Sequence, residues 1–168
     1  ALARESGYRT IFLQSSKRHS LRADAIAAAT GFSEYYGMED EPIRLDYPDP
    51  SATSFGWDYE MYRLLLDKLH GESRPFFAYL FTGTTHTPYA PLPARFLKRP
   101  HGNDSEDGFL NALGYADWSL GELVDASRKE PWFANTIFVF TADHTKGGTE
   151  AHTFDQVFHT PLVVYAPG

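Results

Sequence analysis

Phe76-Phe77-Ala78-Tyr79-Leu80-Phe81, six apolar residues directly behind Pro75, reads as a β-strand buried on both faces. Apolar side chains fill both alternating sets of positions, so neither face is set aside for water. A central strand covered by helices on two sides has that composition. Thr136-Ile137-Phe138-Val139-Phe140-Thr141 repeats the pattern, and Leu162 to Tyr165 adds a last strand before Pro167-Gly168. Upstream, Tyr8 to Leu13 forms a shorter β-prone run after Gly7.

Helical periodicity fills the intervals. Leu21 to Thr30 is Ala-rich and stops at Gly31, a residue that commonly ends helices. Trp57, Met61, Leu64, Leu65 and Leu69 recur at helical spacing up to Gly71. Ser105 to Arg128 carries Phe109, Leu113, Ala116, Leu120 and Leu123 on a predicted apolar stripe, with acids at its start and Arg128-Lys129 at its end. Residues 40–53 hold Pro42, Pro48 and Pro50 among several acids and read as extended loop. Strands alternating with helices predict an α/β fold with a mostly parallel sheet and helices on both faces.

A chain of 168 residues with 42% hydrophobic content supports one compact domain. The net charge of -7 and the lack of a dense Lys/Arg stripe argue against a nucleic-acid partner. Lys17-Arg18-His19, with Arg22 nearby, is the one basic cluster; it reads as a solvated loop first and a receiver of an anionic substrate second. With no cysteine there is no disulfide framework, Cys-based zinc site or cysteine nucleophile. The longest apolar run falls far short of the roughly 18 residues of a membrane helix, so no membrane span is expected. The opening, Ala1-Leu2-Ala3-Arg4-Glu5-Ser6-Gly7, has neither an initiator Met nor a signal peptide, and the chain reads like a fragment.

Ligands of parallel α/β sheets gather beyond the carboxyl ends of the strands. Two polar clusters fall there: Thr82-Gly83-Thr84-Thr85-His86-Thr87-Pro88-Tyr89, and Asp143-His144 followed by Gly147-Gly148. A carboxylate beside an imidazole suits manganese, zinc or iron, whereas magnesium and calcium usually take oxygen alone. Sequence neighbours point to opposite faces within a strand, so Asp143 and His144 share a metal only where the backbone has left it. Considered alone, the pair reads first as a cap or loop hydrogen bond and only second as a site, and His86 first as turn chemistry. The threonines favour backbone hydrogen bonding over nucleophilic catalysis. His152 falls in the loop after the pair, within reach of a substrate. His159 is expected at the opposite end of the last strand, in a structural role.

Several segments together resemble the sulfatase-like branch of the alkaline phosphatase superfamily, in its phosphoglycerol transferase type. They are Ser6-Gly7-Tyr8-Arg9-Thr10; Gly31-Phe32 ahead of Tyr35-Tyr36-Gly37; Phe55-Gly56-Trp57-Asp58; and Pro75-Phe76-Phe77 leading into Thr85-His86-Thr87-Pro88-Tyr89. Tyr115-Ala116-Asp117-Trp118, Thr141-Ala142-Asp143-His144 and His159-Thr160-Pro161-Leu162 complete the set. The resemblance implies that Asp143 and His144 bind a divalent metal, Mn or Zn ahead of Mg or Ca, and that His86 contacts the substrate headgroup. His152 lies nearest to the position of a substrate-binding Lys in sulfatases. The resemblance also implies that residues 1–168 are the C-terminal portion of a catalytic domain, with no catalytic nucleophile in this chain and a hydroxyl nucleophile upstream.

The implied activity is hydrolysis or transfer of a phosphate or sulfate ester. The implied partner is an anionic ester substrate with a lipid or glycan headgroup. The implied location is extracytoplasmic, the parent protein being anchored by upstream membrane helices. Ala142 stands where family members often carry Gly, and Ser15-Ser16-Lys17 replaces a Gly-Gly-Asp type turn. No Cys/Ser-x-Pro-x-Arg signature is present. The rival readings are a true formylglycine sulfatase and a noncatalytic ligand-binding or structural domain.

Overall fold

The computed structural model describes residues 2–146 and 153–168. In chain order its elements are α1 (Leu2–Glu5), β1 (Arg9–Gln14), α2 (Ala23–Thr30), β2 (Glu34–Tyr36), α3 (Asp58–Leu69), β3 (Phe76–Phe81), α4 (Glu106–Ser127), β4 (Phe138–Thr141), α5 (Phe154–Val157) and β5 (Leu162–Tyr165). β1, β2 and β3 form a parallel sheet in the order β2-β1-β3, with Gln14 level with Phe81. β4 and β5 form a separate antiparallel pair.

Local chemistry sets the element ends. Gly31, at φ +94°, closes α2 with its N–H on the last-turn carbonyls, a backbone state that costs glycine nothing. The Ser105 hydroxyl caps α4 by accepting from the Gly108 N–H at 2.9 Å. Arg9 ties the amino ends of the sheet to α3: it pairs with Glu34 and Glu72 and donates to the Lys68 carbonyl. Hydrogen bonding from Arg74, reinforced by Arg9, holds the Glu72 carboxyl down at about 2.

Helices cover both faces of the three-stranded sheet. Ile11 and Leu13 of β1 pack with Met61, Leu64, Leu66 and Leu69 of α3, Leu123 of α4 and Trp132. Each such side chain contributes about 1.5 to 3 kcal/mol of apolar burial. Phe12 points the other way, onto Ala23 and Ala27 of α2. An aromatic cluster of Tyr47, Trp57, Leu92, Phe96 and Tyr115 pins the proline-rich segment beside α3 and α4, with the Tyr47 and Tyr115 hydroxyls 2.8 Å apart.

Four expectations change. β3 is an edge strand of its sheet, not the central one; Phe77 and Tyr79, on the α2 side, remain 50% and 44% exposed because α2 stands over β1 instead. β5 runs antiparallel to β4, pairing Leu162 with Thr141, so the stretch around His159 enters β5 at the same edge where Asp143 leaves β4. The α4 stripe is Asn111, Ala112, Tyr115, Ser119 and Leu123, while Leu113 is exposed, because the facing surface is built around Trp57, Phe96 and α3. The helix expected from Leu21 is α2, which starts at Ala23, preceded by a 3-10 turn over Ser20–Arg22.

Candidate functional site

Three segments converge at the carboxyl end of β1 and β3. A Cβ on Gly56 would stand 1.7 Å from the Ser15 carbonyl oxygen, and one on Gly83 would stand 2.7 Å from the Phe55 Cβ. Only glycine permits these approaches. Asp58, buried at the start of α3, accepts from the N–H groups of Gly83 and Thr84 and from the Thr84 hydroxyl, at 3.1, 3.0 and 2.8 Å. Burial pushes its carboxyl above the ordinary range, opposed by those donors. Thr84 is therefore structural, as its setting among threonines suggested.

This frame presents His86. The exposed imidazole lies on the Phe55 ring, centroids 4.0 Å apart. Its Nδ1 is 2.5 Å from the Thr87 carbonyl oxygen, so Nδ1 carries the proton and donates. Nε2 is left as the outward acceptor, suited to a hydrogen bond with a substrate group.

Asp143 and His144 lie past the last residue of β4, where the backbone has left the strand. Their side chains turn toward each other, His144 Nε2 standing 3.6 Å from Asp143 Oδ2. His144 Nδ1 is 2.7 Å from the Thr145 carbonyl oxygen, which fixes the tautomer and leaves the Nε2 lone pair free, the arrangement of metal-binding histidines. Ligands at about 2 Å from one ion lie roughly 3 Å from each other, so this pair fits a divalent metal as two of its ligands. Among the described residues no group of three or more His, Asp or Glu is arranged around one ion. The Asp143 charge also reaches Tyr79, whose hydroxyl pKa is raised, first by burial and then by that carboxylate.

The remaining candidates fare differently. The contacts of His86 and of Asp143 are separate, with no direct bond between them among the described residues. His152 lies outside the described residues. His159 is exposed, on the metal-pair side of β5, so the opposite-end argument for a structural role falls. Within the basic cluster, Arg18 is committed to Asp40 and His19 to Asp24, while Lys17 is exposed. Leu21 and Arg22 both adopt φ of 55°, an uncommon state for residues with side chains that often marks a functional turn. Phe55 and Asp58 sat inside a quoted motif, but only the folded chain reveals them as the supports of His86.

A protein-family model described as Sulfatase matches residues 1–168. Lipoteichoic acid synthase of Staphylococcus saprophyticus is 24% identical over 146 residues, covering 85% of this chain and 22% of that protein. Phosphoglycerol transferase I of Citrobacter koseri is 22% identical over 150 residues, covering 85% and 19%. The chain thus spans about a fifth of these curated relatives. Among solved structures, an alkaline phosphatase superfamily protein from Vibrio parahaemolyticus superposes with a TM-score of 0.77 at 24% identity, over 98% of this chain and 40% of its own. A lipoteichoic acid synthase from Listeria monocytogenes gives 0.74 at 19%, over 99% and 45%. Family model and fold agree: the chain belongs to the sulfatase family and has the α/β fold of the alkaline phosphatase superfamily.

Proposed function

We propose that residues 1–168 are the C-terminal portion of a sulfatase-like catalytic domain that cleaves or transfers a phosphate ester. In this reading Asp143 and His144 hold a divalent metal and His86 contacts the substrate headgroup. The observation that carries it is the Asp143–His144 pair, with Nε2 and Oδ2 3.6 Å apart and Nδ1 occupied by a carbonyl. The names of the relatives, lipoteichoic acid synthase and phosphoglycerol transferase, favour a phosphoglycerol-type ester over a sulfate.

Imidazole ligation favours Mn or Zn over Mg or Ca. When bound, such an ion lowers the pKa of a hydroxyl nucleophile and screens charge on the transferring group. The hydroxyl nucleophile belongs to a part of the whole protein outside these residues. His86 orients the ester through Nε2. His152 is the second substrate contact. Lys17 and Arg22, at the carboxyl end of β1, favour an anionic partner such as a lipid or glycan headgroup. The reading places the parent protein outside the cytoplasm, tethered by membrane helices elsewhere in its sequence; among the described residues no helix is long and apolar enough to cross a membrane.

The test is metal analysis of the full-length protein, with turnover of a glycerophosphate ester measured alongside. Mn or Zn is expected to bind near one equivalent per chain and to be lost, together with turnover, in Asp143→Ala and His144→Ala. Retention of both metal and turnover in these variants sinks the proposal.

A further inference from the structure

Two residues past His144, Lys146 contacts the start of α4. Its ammonium pairs with Glu106 in the first turn of the helix and stands 4.3 Å from the centre of the Phe109 ring. Phe109 also meets the Tyr89 ring, centroids 6.0 Å apart. Tyr89 is buried and lies three residues past His86; its N–H donates to the Asn103 carbonyl, and its own carbonyl lies 3.1 Å from His101 Nε2. Phe109 therefore contacts both the segment bearing His86, through Tyr89, and the segment bearing Asp143 and His144, through Lys146.

The platform beneath these contacts is stiff. A Cβ on Gly108 would stand 2.0 Å from the Gly102 carbonyl oxygen, so the first turn of α4 is seated directly on the preceding backbone. The Ser105 cap fixes the same turn. A second anchor holds the metal-pair loop to α5: Thr145 N–H donates to the Val157 carbonyl at 2.7 Å, and its hydroxyl to the Gln156 carbonyl. An exposed ion pair contributes little to stability, about 1 kcal/mol or less, so the contribution of Lys146 is to geometry.

We infer that Phe109 and Lys146 are positioning residues: together they set the loop of Asp143 and His144 against the segment of His86. The inference rests on the metal reading above. Without the Lys146 contact the described part of the loop is left with the Thr145 bonds to α5, and its two ligands spread over more arrangements than one ion can use.

The experiment measures Mn(II) binding to the full-length protein, with Mn(II) alone as the probe and free Mn(II) read by electron paramagnetic resonance. Lys146→Met, which keeps an apolar stem and drops the charge, and Phe109→Leu are each expected to weaken binding about 10-fold. Their melting temperatures should stay within about 4 °C of the wild type. Lys146→Arg and Phe109→Tyr, which keep the cation and the ring, should bind as the wild type does. Wild-type affinity in Lys146→Met and Phe109→Leu overturns the inference and leaves the metal reading standing. Losses in the conservative pair as large as in the disruptive pair also overturn it. If the wild type binds no Mn(II), or Asp143→Ala binds equally well, the metal reading fails and the inference with it. Lys146→Met lies at the surface and decides the matter even where Phe109→Leu folds poorly.

Discussion

Asp58 and Thr84 hold each other by three hydrogen bonds: the Thr84 N–H and hydroxyl donate to Asp58 Oδ1 at 3.0 and 2.8 Å, and the Asp58 N–H donates to the Thr84 hydroxyl oxygen at 3.0 Å. This clasp joins the start of α3 to the turn after β3, in a region closed to water. Asp58→Ala strands the Gly83 and Thr84 donors in the interior and should cost about 3 kcal/mol in chemical denaturation. Asp58→Asn keeps an acceptor oxygen and should cost roughly a third of that. Equal losses in the two variants would mean that the carboxylate charge, not the acceptor, matters.

Glycine replacements separate crowding from backbone strain. Gly56 sits at φ +74° with the Ser15 carbonyl in the way of any Cβ, whereas Gly7 sits at φ +83° with open space around it. Gly7→Ala should cost about 1 kcal/mol of unfolding free energy, from backbone strain alone. Gly56→Ala should cost clearly more, because the Ser15 backbone must move as well.

Glu41 gives a pH signature. Burial, reinforced by the nearby Glu60 charge, pushes its carboxyl up to about 9, against the opposing effect of the Trp57 backbone N–H. An unfolded Glu titrates near 4.3, so between roughly pH 4.3 and 9 the folded state holds a proton that the unfolded state releases. The group's stabilisation is complete below the lower value and is lost as pH rises toward the upper one. Unfolding free energy should therefore decline with pH across that window, by at most about 1.4 kcal/mol per unit from this group. Thermal melts at several pH values should show a shallower decline in Glu41→Gln; an unchanged slope would assign the effect to other groups.

His86 and Phe55 should separate in steady-state kinetics of the full-length protein. Loss of the imidazole in His86→Ala removes the Nε2 hydrogen bond to the ester and should lower kcat/KM by about 10- to 100-fold. Phe55→Leu removes only the ring beneath it and should cost about 10-fold or less. Undiminished turnover in His86→Ala would remove this residue from the proposed site.

Much of the architecture was legible in the chain. Apolar runs at Phe76 and Phe138, the Ser105 cap and the Gly31 stop are local signals, and each appears in the structure within a few residues of its expected place. The placement of Asp143 and His144 just past a strand was legible for the same reason: a β-run giving way to a Gly-rich polar stretch is a local change of composition. The α4 stripe was misplaced because Leu113 and Ala112 both fit a helical period, and only the surface opposite decides which is covered.

Sequence by itself determined β1, β3, β4 and β5, the helices α2, α3 and α4, their order, and the residue types capable of metal and ester chemistry, since propensity, capping and periodicity act over a few residues; the short α1, β2 and α5 were not read from it. Tertiary structure alone decided that β3 takes an edge, that β5 turns antiparallel and carries His159 to the side of Asp143, and that Phe109 contacts both Tyr89 and Lys146, which lie far apart in the chain. Strand direction and neighbour choice come from hydrogen bonding and packing between distant segments. An apolar strand offers the same side chains to either partner, in either direction, until the rest of the chain is in place.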